Sequence, residues 1–285
     1  MTGTAARGPA TVTGAAPRVP EAAADAAPAL AVAERVARLA GAELLRRFRG
    51  PARIDVKSSA TDLVSDADRA AEEVALTYLR RHRPDDSVLG EEGASHDGAS
   101  AYRWVVDPLD GTVNYLSGIP FWCVSVGCER RDGDGWKPWL GVIYDPVHDE
   151  LFHAVTGAGA YRGGEPMRRG PDPTLADAVL STGFAYDLGR RPHQSAFLAG
   201  LAPEVRGVRM VGSTALALCW IGAGRLDIYV EDHTKRWDYS AGWPIATEAG
   251  VDVRLVGSVL LAAPRTLADG LASRIAAHDL RKTTA

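Results

Sequence analysis

Residues 105–115 read VVDPLDGTVNY, an apolar run that ends in two carboxylates and a glycine. Asp107 and Asp110 lie three residues apart, with Pro108 between them and Gly111 directly behind. Because Asp, Pro and Gly are the usual turn residues, one interpretation is an ordinary surface turn. The other is a cation site, since two like charges can be held close together when a metal ion lies between them. The stretch alone leaves both interpretations open.

Two further segments end apolar structure on carboxylates. The run SVLGEEG, residues 87–93, predicts a short strand that leads into Glu91, and WDYSAGWPIATEAG, residues 237–250, predicts a helix that begins near Asp238. Each acid has a simpler interpretation: Glu91 as a loop acid in solvent, and Asp238 as a helix N-cap or as a first-turn acid that the helix dipole favours. If the two acid-ended strands are neighbours, however, Glu91 lies beside Asp107. Oxygen ligands without His or Cys suit Mg²⁺, Mn²⁺ or Ca²⁺.

Length and composition limit the fold and the partners. A chain of 285 residues is near the size at which one hydrophobic core stops growing, so one large domain or two smaller ones are expected. The net charge of −4 gives no electrostatic footprint for nucleic acid or an anionic membrane. No run reaches the roughly 18 apolar residues that a membrane-spanning helix needs. We therefore expect a cytoplasmic protein with neither nucleic acid nor membrane as a partner.

Cysteine and histidine usage argues against other site chemistries. The chain has three cysteines in apolar surroundings, which predicts buried free thiols in a reducing compartment rather than a disulfide or a metal cage. None of the seven histidines is paired at i, i+4, so the sequence gives no support for a zinc site.

Composition and the order of the predicted helices and strands divide the chain into a tail and two subdomains. Residues 1–28 are mostly Ala, Thr, Gly and Pro without an apolar secretory core, which predicts a disordered tail. Residues 29–170 read as helices followed by a mostly antiparallel sheet, an α+β pattern. Residues 171–285 alternate strands and helices, which indicates an α/β layered unit. The Pro- and Gly-rich run at 168–177 is the expected join.

Several motifs, in order, resemble the signature segments of the inositol monophosphatase family. They are GEEG at 90–93, DPLDGTVNY at 107–115 and WDYSAGWPIATEAG at 237–250, with KSSATDLVSDAD at 57–68 similar to the family's flexible loop and ELFHAVTGAGAYRGGEPM at 150–167 similar to its central hairpin. Each motif is weak alone, but the ordered set is specific. The resemblance implies a five-layered αβαβα sugar-phosphatase fold, a homodimer and lithium-sensitive, Mg²⁺-dependent hydrolysis of a phosphate monoester.

The resemblance also implies a metal site. It implies that Glu91, Asp107 and the Leu109 carbonyl bind a first cation, and that Asp107, Asp110 and Asp238 hold a second. A weaker third ion is implied near Glu91 and Asp110. The expected ion is Mg²⁺, with Mn²⁺ as an alternative. A ring of carboxylates without metal would repel phosphate, so the proposed chemistry itself requires the cation.

Catalytic and substrate contacts are implied in the same way. Thr112, oriented by Asp68, is expected to position the attacking water alongside Glu91 and Asp107. Asp68 has a competing interpretation, since Ser65 and Asp68 form a capping-box pattern. Free backbone N–H groups at Gly111 and Thr112 can meet phosphate oxygens. The resemblance also implies substrate contacts at Asp110, Gly212, Ser213, Thr214 and Glu231. It implies that Lys57 lies in the loop that covers the site.

Two departures from the family pattern are visible. Tyr115 stands where the family usually has Phe. Residues 251–257, VDVRLVG, form a shorter segment than the family normally has before the next strand, which predicts a trimmed edge hairpin.

The expected function is a phosphomonoesterase that hydrolyses inositol monophosphate or a related sugar or polyol phosphate with metal-activated water. Nucleoside monophosphate, histidinol phosphate, fructose bisphosphate or a secondary-metabolite phosphate are alternative substrates. A haloacid-dehalogenase-type phosphatase fits less well, because it needs nucleophile and acid two apart, whereas Asp107 and Asp110 are three apart. A regulatory or binding protein of the transcription machinery is an alternative of another class, although that role would not need every metal ligand.

Overall fold

The computed structural model describes residues 26–50, 52–56 and 63–278. Most of the predicted tail and Lys57 lie outside these residues. Helix α1, Ala26–Arg47, begins inside the segment predicted as tail, so residues 26–28 are helical. The division into subdomains near residue 170 stays a prediction.

Helices α1 and α2 (Asp66–His82) form the first layer. Ala33, Ala37 and Ala40 of α1 are fully buried at a spacing of three and four, which gives the helix one apolar face. Ser65 caps α2 with its side chain, and Asp68 accepts in return from the Ser65 backbone, so the predicted capping box is present. The apolar faces of both helices pack on the larger sheet.

The second layer is an eight-stranded sheet in the order β10-β9-β8-β7-β6-β5-β3-β4. Neighbours are antiparallel, except that β3 and β5 are parallel. A separate antiparallel pair consists of β1 (Ile54–Val56) and β2 (Leu63–Ser65). The strands of the large sheet are β3 (Ser87–Gly90), β4 (Ser95–His96), β5 (Tyr102–Asp110), β6 (Cys123–Asp132), β7 (Gly135–Asp145), β8 (Glu150–Val155), β9 (Gly159–Arg162) and β10 (Glu165–Met167).

Alternate residues of this sheet face two different helix layers. On β7, Val142 packs with α1, whereas the next residue, Ile143, packs on the opposite side. The opposite side meets α5 (Thr214–Gly222), α6 (Arg236–Tyr239) and α7 (Gly242–Glu248). A Cβ added at Gly141 would lie 2.0 Å from the Ala241 carbonyl oxygen, so a glycine is needed where this layer approaches the sheet.

The segment predicted as one helix, residues 237–250, is divided between α6 and α7 at Ser240 and Ala241. Pro244 follows in the first turn of α7. Because proline has no N–H to donate to the carbonyl four residues earlier, a continuous helix is interrupted at this point. The single-helix prediction was therefore wrong in this detail.

The fourth layer is a five-stranded sheet in the order β12-β11-β13-β15-β14. Parallel strands β11 (Val179–Thr182), β12 (Gly207–Arg209) and β13 (Ile228–Asp232) are followed by the antiparallel strands β15 (Val259–Ala263) and β14 (Asp252–Val256). The shortened segment thus forms an edge hairpin in which Val256 pairs with Val259.

The fifth layer consists of α4 (Arg191–Leu201) and α8 (Arg265–His278). Their side chains, such as Leu201 and Leu271, pack with Ile228 and Leu261 on the outer face of the five-stranded sheet. The inner face packs on the helix layer α5–α7. This order of helix, sheet, helix, sheet and helix confirms the predicted five-layered αβαβα fold.

The cysteine prediction is confirmed. Cys123, Cys128 and Cys219 are free and buried. Within the described ranges, no helix is long and apolar enough to cross a membrane.

A buried ion pair joins the large sheet to α6. Glu129 of β6 has no exposed side-chain area, and it accepts from Arg103 at 3.0 Å, from Arg236 Nε at 2.5 Å and from Ser240 Oγ at 2.8 Å. Arg236 and Ser240 lie on either side of Asp238 in the chain, so their contacts with Glu129 also hold the backbone that carries Asp238.

We expect Glu129→Ala to lower the free energy of unfolding by about 3 kcal/mol, since it leaves two partly buried guanidinium groups without their counter-charge. Urea unfolding followed by circular dichroism measures this. The matched control is Glu204→Ala, which removes an exposed ion pair with Arg274 and should change the unfolding midpoint very little. Equal midpoint shifts in the two variants would contradict the expected role of Glu129.

Candidate active site

A cleft of about 830 Å³ opens between the two halves of the molecule. It lies where β5 and β13 end and where α5 and the short helix α3 (Thr112–Leu116) begin. Asp68 lies behind Thr112, and Lys57 lies outside the described residues. The other residues predicted for the site all line the cleft: Glu91, Asp107, Leu109, Asp110, Gly111, Thr112, Gly212, Ser213, Thr214, Glu231 and Asp238.

Strand register brings Glu91 and Asp107 together. Parallel strands β3 and β5 pair Gly90 with Val106, and the Glu91 amide donates to the Val106 carbonyl at 3.1 Å. The next residue of each strand therefore lies side by side, which makes Glu91 and Asp107 neighbours at the end of the sheet. Asp107 is buried and accepts from the Leu109 amide at 2.9 Å.

A β-bulge turns Asp107 and Asp110 towards the same cleft. In a regular strand, residues three apart point to opposite faces of the sheet. Here Asp107 pairs with Ser125 and Asp110 pairs with Cys123, so β5 contains one more residue than β6 over this interval. The extra residue reverses the alternation once, which explains how two acids at this spacing line one site.

The second half of the chain fixes Asp110. One oxygen, Oδ2, accepts from Ser213 Oγ at 2.7 Å and from the Ala215 amide at 2.6 Å, both at the start of α5. Ser213, which was predicted as a substrate contact, therefore orients a cleft acid here. Gly111 has φ 106° and lies against the Gly212 backbone, where a Cβ would be 3.2 Å from the Gly212 carbonyl oxygen. That close approach requires a glycine.

Asp238 reaches the cleft from the opposite side. It lies in α6, and its Oδ2 accepts from the Lys235 amide at 2.6 Å. Lys235 is the N-cap of α6, so Asp238 is the acid in the first helical turn that was one of the simpler interpretations. The same carboxyl group lines the cleft, so the two interpretations are compatible.

Burial and neighbouring negative charges raise the pKa of Asp107, Asp110 and Asp238. Burial, followed by the negative charges of Glu91 and Asp110, raises the pKa of Asp107 well above its usual range. Burial raises the pKa of Asp110 to about 7, although hydrogen bonds from Ser213 and Ala215 oppose the shift. Burial and the charge of Asp110 raise the pKa of Asp238 well above its usual range. A bound cation would relieve the repulsion between these carboxylates.

The donor set fits a hard divalent cation. Carboxylate oxygens and the Leu109 carbonyl are the donors that Mg²⁺, Mn²⁺ and Ca²⁺ prefer. Among the described residues, no three His, Cys, Asp or Glu side chains are already grouped as a metal cage. Three of the acids instead accept from donors of the protein: Asp107 from the Leu109 amide, Asp110 from Ser213 and Asp238 from the Lys235 amide.

Thr112 and Asp68 form a buried pair at the edge of the acids. Thr112 Oγ1 lies 3.0 Å from Asp68 Oδ1 and 3.2 Å from the Leu109 carbonyl oxygen. The other Asp68 oxygen accepts from the Ser65 amide at 2.9 Å and from Ser65 Oγ at 2.5 Å. Asp68 thus caps α2 and orients Thr112 at the same time. Burial raises the pKa of Asp68.

Glu231 belongs to a network with Tyr229 and Thr214. Thr214 Oγ1 lies 3.1 Å from Glu231 Oε2 and 2.8 Å from the Tyr229 hydroxyl, which itself donates to Glu231. Burial raises the pKa of Glu231, and the hydrogen bonds from Tyr229 and Thr214 act in the opposite direction. The sequence analysis missed Tyr229. Its signal was the spacing of two on β13, which puts Tyr229 and Glu231 on one face.

Comparison with known proteins identifies relatives of the whole fold. The sequence profile of the inositol monophosphatase family matches residues 25–284. The inositol-1-monophosphatase of Mycobacterium bovis is 39% identical over 238 residues, which cover 78% of this chain and 81% of that protein. The Nus factor SuhB of Pasteurella multocida is 37% identical over 227 residues, covering 78% and 83% respectively.

Solved structures of similar proteins have the same fold over most of the chain. The extragenic suppressor protein suhB of Bartonella henselae superposes with a TM-score of 0.81 at 34% identity, covering 89% of this chain and 98% of that one. The inositol monophosphatase of Anabaena sp. PCC 7120 gives a TM-score of 0.74 at 36% identity, covering 86% and 94%.

The fold and the acid-lined cleft are those of a phosphatase class that is generally metal-dependent. The chain belongs to the inositol monophosphatase family. The predicted resemblance is therefore confirmed, as is the prediction that the chain is a phosphoric monoester hydrolase.

Proposed function

We propose that the protein is a Mg²⁺-dependent phosphomonoesterase that acts on inositol monophosphate or a related sugar or polyol phosphate. The observation that carries this proposal is the convergence of Glu91, Asp107, Asp110 and Asp238 on one cleft. Four acids that face a phosphate would repel it unless cations lie between them. When bound, two or three Mg²⁺ ions, or Mn²⁺ in their place, supply the charge that neutralises phosphate oxygens and generates a nucleophile from water near neutral pH.

The residues of the chain have separate roles in this proposal. Glu91, Asp107, the Leu109 carbonyl, Asp110 and Asp238 hold the cations. Inhibition by Li⁺ is proposed to arise at the same acids. Thr112 directs its hydroxyl proton to Asp68, so a lone pair of Oγ1 is left to accept a hydrogen bond from the attacking water and orient it. Backbone N–H groups at the start of α3 face the phosphate.

The alcohol half of the substrate is proposed to lie towards the second sheet. There Glu231 accepts hydrogen bonds from substrate hydroxyls, while Thr214 and Tyr229 hold its carboxylate in place. Gly212 and Ser213 line the same side.

The proposal is tested by measuring phosphate release from a panel of monoesters in the presence of Mg²⁺. The panel includes inositol 1-phosphate, glucose 6-phosphate, adenosine monophosphate, histidinol phosphate and fructose 1,6-bisphosphate. Release from at least one sugar or polyol phosphate supports the proposal. Release from none of the panel, with folded and cation-loaded protein, would remove it.

Glu231→Gln is expected to lower kcat/KM for a polyol phosphate by about ten- to a hundredfold, since the loss of a charged hydrogen-bond partner costs roughly 1.5–3 kcal/mol. The same variant should retain turnover of p-nitrophenyl phosphate, whose leaving group offers no hydroxyl there. Steady-state kinetics on both substrates measure the difference. Glu248→Gln, which alters an acid bound to the Gly157 and Gly159 amides outside the cleft, is the control. Equal losses on both substrates would mean that Glu231 supports the metal site instead.

We also propose a homodimer in solution. Family membership supports it. Light scattering at micromolar concentration is expected to give twice the chain mass of 30.2 kDa. A mass of one chain would contradict this.

A binding role at the transcription machinery is the second candidate, supported by the similarity to the Nus factor SuhB of Pasteurella multocida. Such binding would not require the acids of the cleft. Their presence as a set favours catalysis as the main function, and the two roles are compatible in one chain.

A further inference from the structure

Exposed apolar side chains are concentrated at the cleft. Of the eight large apolar side chains that are exposed within the described residues, four line it. They are Val113, Tyr186, Leu188 and Met210, with exposed fractions of 44%, 46%, 61% and 55%. Single exposed apolar residues are normal on a protein surface, but their grouping at a concave site marks a binding surface. We call these four residues the apolar rim.

One half of the apolar rim is joined by a hydrogen bond across the cleft. Asn114 of α3 donates through Nδ2 to the Val211 carbonyl at 2.8 Å. Val113 and Met210 precede these two residues in the chain, so the bond holds the two side chains on neighbouring segments. A second bond, from the same Nδ2 to the Phe121 carbonyl at 2.8 Å, anchors Asn114 on its other side.

The other half is presented by an anchored loop. Residues 183–190 follow β11, and the Ala185 amide donates to Gln194 Oε1 at 3.1 Å. The Ala185 carbonyl accepts from Arg191 Nε at 3.0 Å. Helix α4 therefore holds this loop through both backbone groups of one residue, and Tyr186 and Leu188 are carried by a fixed segment.

The loop begins in contact with the proposed recognition acid. A Cβ added at Gly183 would lie 2.3 Å from Glu231 Oε1, so the loop backbone passes directly against that carboxylate. The four acids proposed to hold cations, the recognition acid Glu231 and the apolar rim thus line one continuous space of about 830 Å³. This volume lies towards the upper end of the range for drug-sized ligands, and it leaves room beyond a phosphate and a small polyol.

We infer that the preferred substrate is a phosphate monoester whose alcohol half carries, besides its hydroxyl groups, an aromatic or bulky apolar group that packs on the apolar rim. This rests on the proposed function and names the substrate class of that site. Val113 and Leu188 offer no donor or acceptor to a hydroxyl, so a purely polyol group placed there would lose hydrogen bonds to water without replacement. An apolar group gains by leaving water at the same place.

The test compares two substrates that share one leaving oxygen. Phenyl β-D-glucoside 6-phosphate and methyl β-D-glucoside 6-phosphate both release phosphate from the C6 oxygen, and they differ only in the group at C1. We expect kcat/KM for the phenyl compound to be about tenfold higher, because the ring buries apolar area on the rim. In the double variant Leu188→Ser, Met210→Ser the ratio should fall to about one. Leu255→Ser, which alters an exposed leucine of β14 outside the cleft, should keep the wild-type ratio.

Several outcomes would overturn the inference. One is a wild-type ratio below about two, and another is an unchanged ratio in the double variant. A third is hydrolysis of inositol 1-phosphate but of neither glucoside, which would leave the proposed function intact. Release of phosphate from no monoester would remove the proposed function and the inference together. If the double variant keeps the ratio but loses a dimer in light scattering, the rim is an interface between two copies of the chain.

Discussion

Asp107→Asn is expected to lower kcat for phosphate release by about 10³-fold or more at saturating Mg²⁺. The substitution keeps the size of the side chain and an oxygen that can accept from the Leu109 amide. It removes the charge that both proposed cations share, and charge stabilisation by such ions is worth several kcal/mol, with each 1.36 kcal/mol equal to a factor of ten. Initial rates at several Mg²⁺ concentrations measure the loss.

Two comparisons separate this effect from misfolding. Without metal, Asp107 repels Glu91 and Asp110, so Asp107→Asn should leave the unfolding free energy of the metal-free protein near pH 7 unchanged or higher. The control is Asp187→Asn at the cleft mouth, an acid that accepts from the Gly189 amide and should stay within a few-fold of wild-type kcat. Retention of kcat within tenfold in Asp107→Asn would contradict the proposed mechanism.

The proximity of two of the acids was predictable because Glu91 and Asp107 each follow the apolar residues of a strand. The strand ending at Gly90 and the strand containing Val106 are neighbours in register, so Glu91 and Asp107 could be expected side by side. The cap of α2 was predictable in the same way, since Ser65 and Asp68 have the spacing of a capping box. Strand and helix patterns fix such local placements without knowledge of the remainder of the chain.

Other features depend on contacts between distant segments. A one-residue bulge between Asp107 and Asp110 depends on how β6 pairs, and the orientation of Asp110 depends on Ser213. Neither could be derived from the spacing of the two acids. Conversely, Pro244 was a local signal for the break between α6 and α7, and the prediction of a single helix overlooked it. The apolar rim was missed because its residues come from three segments far apart in the chain, and each one alone is an ordinary surface residue.

Removal of divalent cations is expected to abolish turnover completely. Burial and the charges of Glu91 and Asp110 raise the pKa of Asp107, and burial raises that of Asp110 to about 7, so the empty cleft carries mutually repelling acids. A phosphate monoester would add further negative charge to this group. Neither neutralisation of the phosphate nor activation of water is then available, because the cleft acids cannot perform either step alone.

The measurement is phosphate release from inositol 1-phosphate, or from the best monoester of the panel, by protein that was treated with EDTA and then dialysed. We predict no release above the uncatalysed rate after chelation, and recovery of the full rate when Mg²⁺ is restored. Circular dichroism before and after chelation shows whether the fold is kept. Full activity of the folded protein in excess EDTA would contradict a cation-dependent mechanism at these acids.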